Sequence, residues 1–363
     1  MADARLLLTD DERHQGLVTL AKVHIPRANP DRAAHRWRRT LVEDSGFLAL
    51  LGAEVDGQMA GAVGLLRRTI CLGAADIDVA VVRSLGVLPD LRGRGVATAL
   101  CDLAAEVARD AGIPLLVANA PIDFFARRGF QKVHDPHQVF IELARARSLS
   151  PRIDRLRPAS LADVPRLTEL YAAHFAHYLG APRRGAEDIR RRLSARLPDQ
   201  APMLMISETG DIRGYFWPNA GGWPPRPDEL LALDAEAARD LAQYHAHRSG
   251  VFGGQDPMRW VVPADAPTVA AIAEVLPVRA EVDGAETTGP LARVTDAAAL
   301  LAAMEPELAT RSAGPRPDCA SLEAAVLAQL VFSRRSPGQL GLAGAGWDDY
   351  FPMRSAWLPD LAG

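Results

Sequence analysis

Over its first 147 residues the chain alternates short apolar runs with stretches whose apolar positions recur every three or four residues, as interleaved strands and helices do. The stretch "FLALLGAEVDGQMAGAVGLLRR" (47–68) predicts two strands joined at Asp56-Gly57, a dipeptide suited to a tight hairpin turn. "DIDVAVVRSLGVLP" predicts a long strand ended by Pro89. Beyond it Val96, Leu100, Leu103, Ala104, Val107, Ala108 and Ala111 share one helical face, and Gly112 marks the stop. "IPLLVANA" (113–120) reads as a further buried strand, "PIDFFARRGF" as a short helix and "VFIELAR" as a last strand. Hairpin and crossover units in so short a span predict an α/β domain.

At "SLSPRIDRLRPASLADVP" the composition turns to Pro, Ser and Arg, as at a domain boundary. The same order of elements then returns: strand "IDRLRP", helix 161–179, helix "AEDIRRRLSARL", hairpin "PMLMISETGDIRGYFW", strand "ELLALD", helix 235–247, strand "MRWVVP" and helix "APTVAAIAEVL". Such a return suggests a duplicated fold. In the second copy only Asp234 separates the strand from its helix, as an N-cap would. From Gly289 a smaller, mainly helical region follows, with helices over 297–308 and 322–332. A piece that small is marginal by itself and is expected to pack on the rest. The expected division is 1–148, 152–288 and 289–363.

Composition narrows the function classes. Hydrophobic content of 48% with 24% charge is that of a soluble globular protein. The start "MADARLLLTDDERHQG" has no basic leader, so a cytoplasmic protein without a membrane partner is expected. Cys71, Cys101 and Cys319 are scattered without a CxxC, and the nine histidines form no HxxxH or HExxH, so no metal site is expected. A net charge of −4 gives no general attraction to nucleic acid, and "RRGAEDIRRRL" (183–193) reads as a solvated helix face.

The informative stretch is "VLPDLRGRGVATAL" (87–100), a glycine-rich turn between a strand and a helix. A helix N-terminus exposes unpaired N–H groups and carries partial positive charge, which suits a pyrophosphate. Gly93 and Gly95 keep Cβ atoms away from such a ligand, and Arg92 and Arg94 add charged donors. "SLGVLPDLRGRGVATALCDLAAEVARDAG" followed by "APIDFFARRGFQKV" resembles the GNAT superfamily of N-acetyltransferases. The family's acyl-CoA motif, Arg or Gln, two residues, then Gly-x-Gly or Gly-x-Ala, is matched by Arg92, Gly95 and Ala97. The resemblance implies acetyl-CoA as co-substrate, with the backbone of Leu85 and Val87 along the pantetheine arm. It also implies that the amides of Arg92, Gly93, Arg94, Gly95, Val96 and Ala97 hold the pyrophosphate and that Phe125 lies beside the cofactor.

Over the whole chain the order is similar to Eis-type aminoglycoside and lysine N-acetyltransferases: an intact GNAT domain, a degenerate one lacking the phosphate loop, and a shortened sterol-carrier-like end. The implied fold class is α/β (α+β), two tandem GNAT-like domains with mixed, mostly antiparallel sheets plus a small helical C-terminal region. Eis-type proteins form hexamers, so the resemblance also implies a homo-oligomer.

Acetyl transfer from a thioester to an amine is helped by a base for the amine and an acid for the thiolate. By resemblance the acid is a tyrosine five positions before the Phe of the "GF" pair; here that position is Phe125, which has no proton to give. Asp123, His134 and His137 lie close in sequence, the histidines having the better suited side chain, and solvent is a further proton source. Candidates for the base are Asp76 and Asp78, which share a strand face, and the carboxylate of Gly363. Trp37, Asp44 and Phe47 are candidates for the acceptor pocket. Two functions stay in play: an N-acetyltransferase acting on a primary amine of a small molecule or lysine side chain, and an acyl-CoA-binding regulatory or assembly protein.

Overall fold

The computed structural model describes residues 2–132, 137–142, 144, 152–175, 178, 180–194, 201–218, 227–251, 258–261, 266–282, 288–311, 317–332, 336–342, 347 and 351. They fall into two compact units, one within 1–134, 178–182 and 286–362, the other within 135–177 and 183–285.

The first unit opens with β1 (Asp3–Leu6) and α1 (Asp10–His24). A capping box starts α1: the Thr9 hydroxyl accepts from the Glu12 N–H and the Glu12 carboxylate accepts from the Thr9 N–H. Next come α2 (Pro30–Trp37), begun by an Asn29 cap, β2 (Phe47–Val55) and β3 (Gln58–Leu72). The hairpin turns at Asp56 and Gly57 with φ of 53° and 77°, the two positive values a type I′ turn requires. β4 (Ala75–Val87), α3 (Val96–Asp110), β5 (Leu115–Pro121), α4 (Ile122–Ala126) and β6 (Gln131–Lys132) follow.

The second unit holds β7 (His137–Ile141), β8 (Leu156–Pro158), α5 (Val164–Phe175), α6 (Ala186–Ser194), β9 (Met203–Ile206), β10 (Ile212–Pro218), β11 (Pro227–Ala232), α7 (Ala235–Val251), β12 (Met258–Val261), α8 (Pro267–Ala273) and β13 (Val278–Val282). From β8 onward it repeats the order of the first unit: strand, two helices, hairpin, strand, helix, strand, helix, strand. Its strands form the sheets β11-β10-β9-β8 and β12-β7-β13. The chain then returns to the first unit with β14 (Thr288–Val294), α9 (Ala297–Leu308) and α10 (Ala324–Phe332).

The first unit's sheet runs β1-β2-β3-β4-β5-β14-β6, antiparallel throughout except for the parallel pair β4–β5. Two expectations are corrected here. The strand at 137–141, read as the last of the first block, pairs with β12 and β13. Beside β5 lies β14 instead, from Val294↔Leu115 to Thr288↔Pro121. The breaks read from sequence at 148 and 288 therefore do not coincide with the units, and β14, α9 and α10 belong to the first unit's sheet and core. An apolar strand carries a pattern for burial but little record of which neighbour will pair with it.

Both faces of this sheet are covered. Val79 and Val81 on β4 and Leu115 and Val117 on β5 join Leu17 and Leu20 of α1, with Leu300 and Met304 of α9 and Leu327 and Leu330 of α10. The alternate residues Ala80 and Leu116 face Val96, Leu100 and Ala104 of α3 and Phe125 of α4.

Candidate active site

The cleft in the first unit originates in two interruptions of regular pairing. β4 and β5 pair only at Val79↔Leu115, Ala80↔Leu116 and Val81↔Val117, after which no pairing joins them. On its other side β4 bulges: Gly64 pairs with Arg83 and Ala62 with Gly86, so Ser84 and Leu85 stand opposite Val63 alone. Ser84 takes a φ of 57°, a left-handed conformation unusual for a residue with a side chain. The parting strands leave a cleft of about 850 Å³. One wall is Val82, Ser84, Leu85 and Val87 of β4 and the other Ala118 to Pro121 of β5. Backbone polar groups along parting strands lack each other as partners, so an extended amide-bearing chain can lie between them.

At the C-terminal end of β4 the cleft meets the start of α3. Gly93 and Gly95 have φ of 78° and 81°, which accounts for glycine at both positions, and a Cβ on either would point into open space. Gly95 is the N-cap and offers no side chain to the helix, whose first turn holds no acidic residue. The first helical bond is Ala99 N–H to the Gly95 carbonyl at 3.0 Å, so the N–H groups ahead of it have no helical acceptor. Two cations flank this end: Arg92, whose Nε donates to the Val87 carbonyl at 3.4 Å, and Arg128, whose guanidinium donates to the Thr98 hydroxyl and lies 5.0 Å over the Phe124 ring. The site has the uncapped dipole and the cations an anionic head group needs.

Of the residues read from sequence as cofactor-binding, Leu85, Val87, Arg92, Gly93, Gly95, Val96, Ala97 and Phe125 line the cleft. Arg94 does not; it pairs with Asp56 at 2.9 Å on the hairpin turn. Phe125 is 3% exposed and packs edge-to-face on Phe124 and Phe130, with centroids 5.1 and 5.0 Å away. Arg128, Asn119 and His24 line the cleft without having been singled out by the sequence. Arg128 sits in the "FFARRGF" run already quoted, which was the available signal; His24 lies more than sixty residues from the loop and has none.

The remaining candidates lie elsewhere. Asp78 is not in the cleft: its carboxylate accepts from Arg67, whose Nε is 3.0 Å away, and from the Thr69 hydroxyl at 2.7 Å. Both oxygens are thereby committed to neighbours on β3, which removes the reason for reading it as a base. Asp44 is held by two Arg68 bonds of 2.9 Å and accepts from the Gly46 N–H. Phe47 lies under the Arg13 guanidinium at 5.5 Å, and Trp37 packs against the core with its ring 5.5 Å from that of His24. His134 and Gly363 lie outside the described residues.

The corresponding junction of the second unit is closed to anions. Asp234 follows β11 and its carboxylate accepts from the Ala237 N–H at 2.8 Å and from Arg213 at 2.7 Å. Burial pushes that carboxyl up, but the N–H and Arg213 bonds outweigh it and hold it ionised below its usual range. A second carboxylate, Glu229, is buried among Arg184, Arg192 and the Tyr215 hydroxyl. Burial raises its pKa, yet the two guanidinium groups, Arg184 foremost, bring it below the ordinary carboxylate value.

Among the described residues no helix is long and apolar enough to cross a membrane, and no group of three or more His, Cys, Asp or Glu is placed to hold a metal ion. No curated protein matches the chain. The chain is similar in structure to a GCN5-related N-acetyltransferase from Kribbella flavida, with 21% identity and a TM-score of 0.61 over 83% of this chain and 74% of that one. It is similar also to a probable N-acyltransferase from Enterococcus faecalis V583, with 16% identity and a TM-score of 0.59 over 83% and 74%. Eis1 from Mycobacterium abscessus matches with 19% identity and a TM-score of 0.53 over 84% and 76%. These likenesses establish a shared fold over most of the chain. Residues 14–130 match the acetyltransferase (GNAT) family and contain the parted strands and the open helix start. The likeness to that family is thus carried by residues 14–130, within the first unit.

Proposed function

We propose that the first unit transfers an acetyl group from acetyl-CoA to a primary amine of a small molecule or a lysine side chain. The observation that carries this reading is the cleft between β4 and β5 ending at the uncapped start of α3. The two amides of a pantetheine arm find backbone partners along the parted strands. The pyrophosphate finds the α3 N–H groups, Arg92 and Arg128. Ternary binding brings amine and thioester together, which is the larger part of what the reaction needs. Isothermal titration tests it: Gly95→Glu puts a carboxylate into the pyrophosphate position and should abolish acetyl-CoA binding in a protein that still melts cooperatively. Unchanged binding would refute the reading.

Phe125 favours a second reading, an acyl-CoA-binding protein without turnover, because the phenyl ring at this wall of the cleft cannot protonate a thiolate. Thiol release from acetyl-CoA in the presence of polyamines, aminoglycosides and lysine peptides separates the two.

A further inference from the structure

The cleft's lining comes from both faces of the sheet. Val96 and Phe125 belong to the apolar cluster under α3, whereas α1, which carries His24, packs on the opposite face through Leu17 and Leu20. A ligand anchored by its phosphates at α3 therefore reaches through the parted strands toward α1. At that exit stands His24, in the last turn of α1, its Nε2 3.2 Å from the Leu85 carbonyl at the β4 bulge. The Trp37 ring supports it, with centroids 5.5 Å apart and planes at 52°. A carbonyl only accepts, so Nε2 carries the hydrogen and Nδ1 keeps a lone pair. The titratable side chains lining the cleft are His24, Arg92 and Arg128. A guanidinium only donates, which leaves the imidazole as the one of these three side chains with both a donor and an acceptor nitrogen.

We propose that His24 is a catalytic residue: it takes the proton of the acceptor amine and returns it to the departing sulfur. This rests on the acetyl-CoA reading of the cleft. As the amine nitrogen forms its bond to the acetyl carbon, one N–H proton passes to Nδ1. The Nε2–H bond to the Leu85 carbonyl strengthens on the resulting imidazolium. The carbon–sulfur bond then breaks with its electron pair on sulfur, and Nδ1–H gives the proton to the thiolate. The products are an amide, free CoA thiol and a neutral His24. A single group serving both transfers explains how a chain with Phe125 at the usual donor position can still turn over.

Two measurements on the full-length protein test it. In imidazole-detected NMR, with the signal assigned by His24→Gln, acetyl-CoA should shift the His24 resonance and adenosine 3′,5′-bisphosphate, which fills only the phosphate end, should not. In thiol-release kinetics with spermidine as the amine, His24→Gln should lower kcat by about 10²-fold. Its acetyl-CoA affinity should stay within about threefold of wild type, and His24→Ala should partly recover with added imidazole. Acetyl-CoA binding without a His24 shift overturns the proposal, as does a His24→Gln kcat within about threefold of wild type. A loss of rate that merely follows lost acetyl-CoA affinity also overturns it. If wild type binds no acetyl-CoA, the functional reading itself falls, a distinguishable result.

Discussion

At the residue scale the cleft turns on a few side chains whose positions along the chain do not announce their roles. Arg128 reaches Thr98 on the first turn of α3 and is steadied by the Phe124 ring. Its charge thus stands at the helix end where a pyrophosphate would sit, with its bonds going to the Thr98 hydroxyl and the Arg127 carbonyl. Arg128→Ala should weaken acetyl-CoA binding about tenfold, or ~1.4 kcal/mol, with a shallower dependence on salt; titration at two ionic strengths checks both. Asp78 illustrates the opposite case. Its place near the start of the strand that leads to the loop invites a catalytic reading, but Arg67 and Thr69 on β3 claim it.

Among the elements, helix starts carry the electrostatics, and the open start of α3 contrasts with closed ones such as those of α1 and α5. Where α3 is left open by Gly95, the 3-10 turn at Leu161–Asp163 that leads into α5 is closed by Asp163, which accepts from Ser160 and from both Arg157 Nη atoms at 2.8 and 2.6 Å. The Arg157 bonds foremost, against the effect of burial and with Ser160 assisting, bring this carboxyl from its ordinary 3.8 to about 2. Folding thereby makes Asp163 a weaker proton acceptor, so its stabilisation is complete above about pH 4 and is lost as the pH falls through about 2. Asp163→Asn should destabilise the protein by about 1–2 kcal/mol at pH 7, a difference that shrinks toward zero near pH 2. Urea melts at the two pH values measure it.

On the scale of the whole molecule the order of the chain and the order of the sheet part company. β14 inserts between β5 and β6, and Leu300, Met304, Leu327, Leu330, Val331 and Phe332 from α9 and α10 complete the core of the first unit. Burying one such side chain is worth about 1.5–3 kcal/mol, so losing all six exceeds about 9 kcal/mol, comparable with a domain's whole stability. A chain ending at residue 148 should therefore show no cooperative thermal melt by circular dichroism, although it contains the entire 14–130 family match. A sharp transition like that of the full chain would contradict this assignment of the core.

The amino-acid sequence by itself determined the elements and the anion-binding end of the cleft, because both rest on local chemistry. Apolar periodicity places β2 to β5 and α3, Asp56-Gly57 can turn with two positive φ, and Gly93 and Gly95 leave the start of α3 open. It also marked Phe125 as a position without a proton to give. Tertiary structure alone decided that β14 rather than β7 lies beside β5, since any strand with apolar faces can accept the same backbone bonds. It alone decided where β4 and β5 part and what reaches the gap. His24 meets the Leu85 carbonyl across 61 positions of sequence, a juxtaposition set by α1 packing on β3 and β4 rather than by any local pattern.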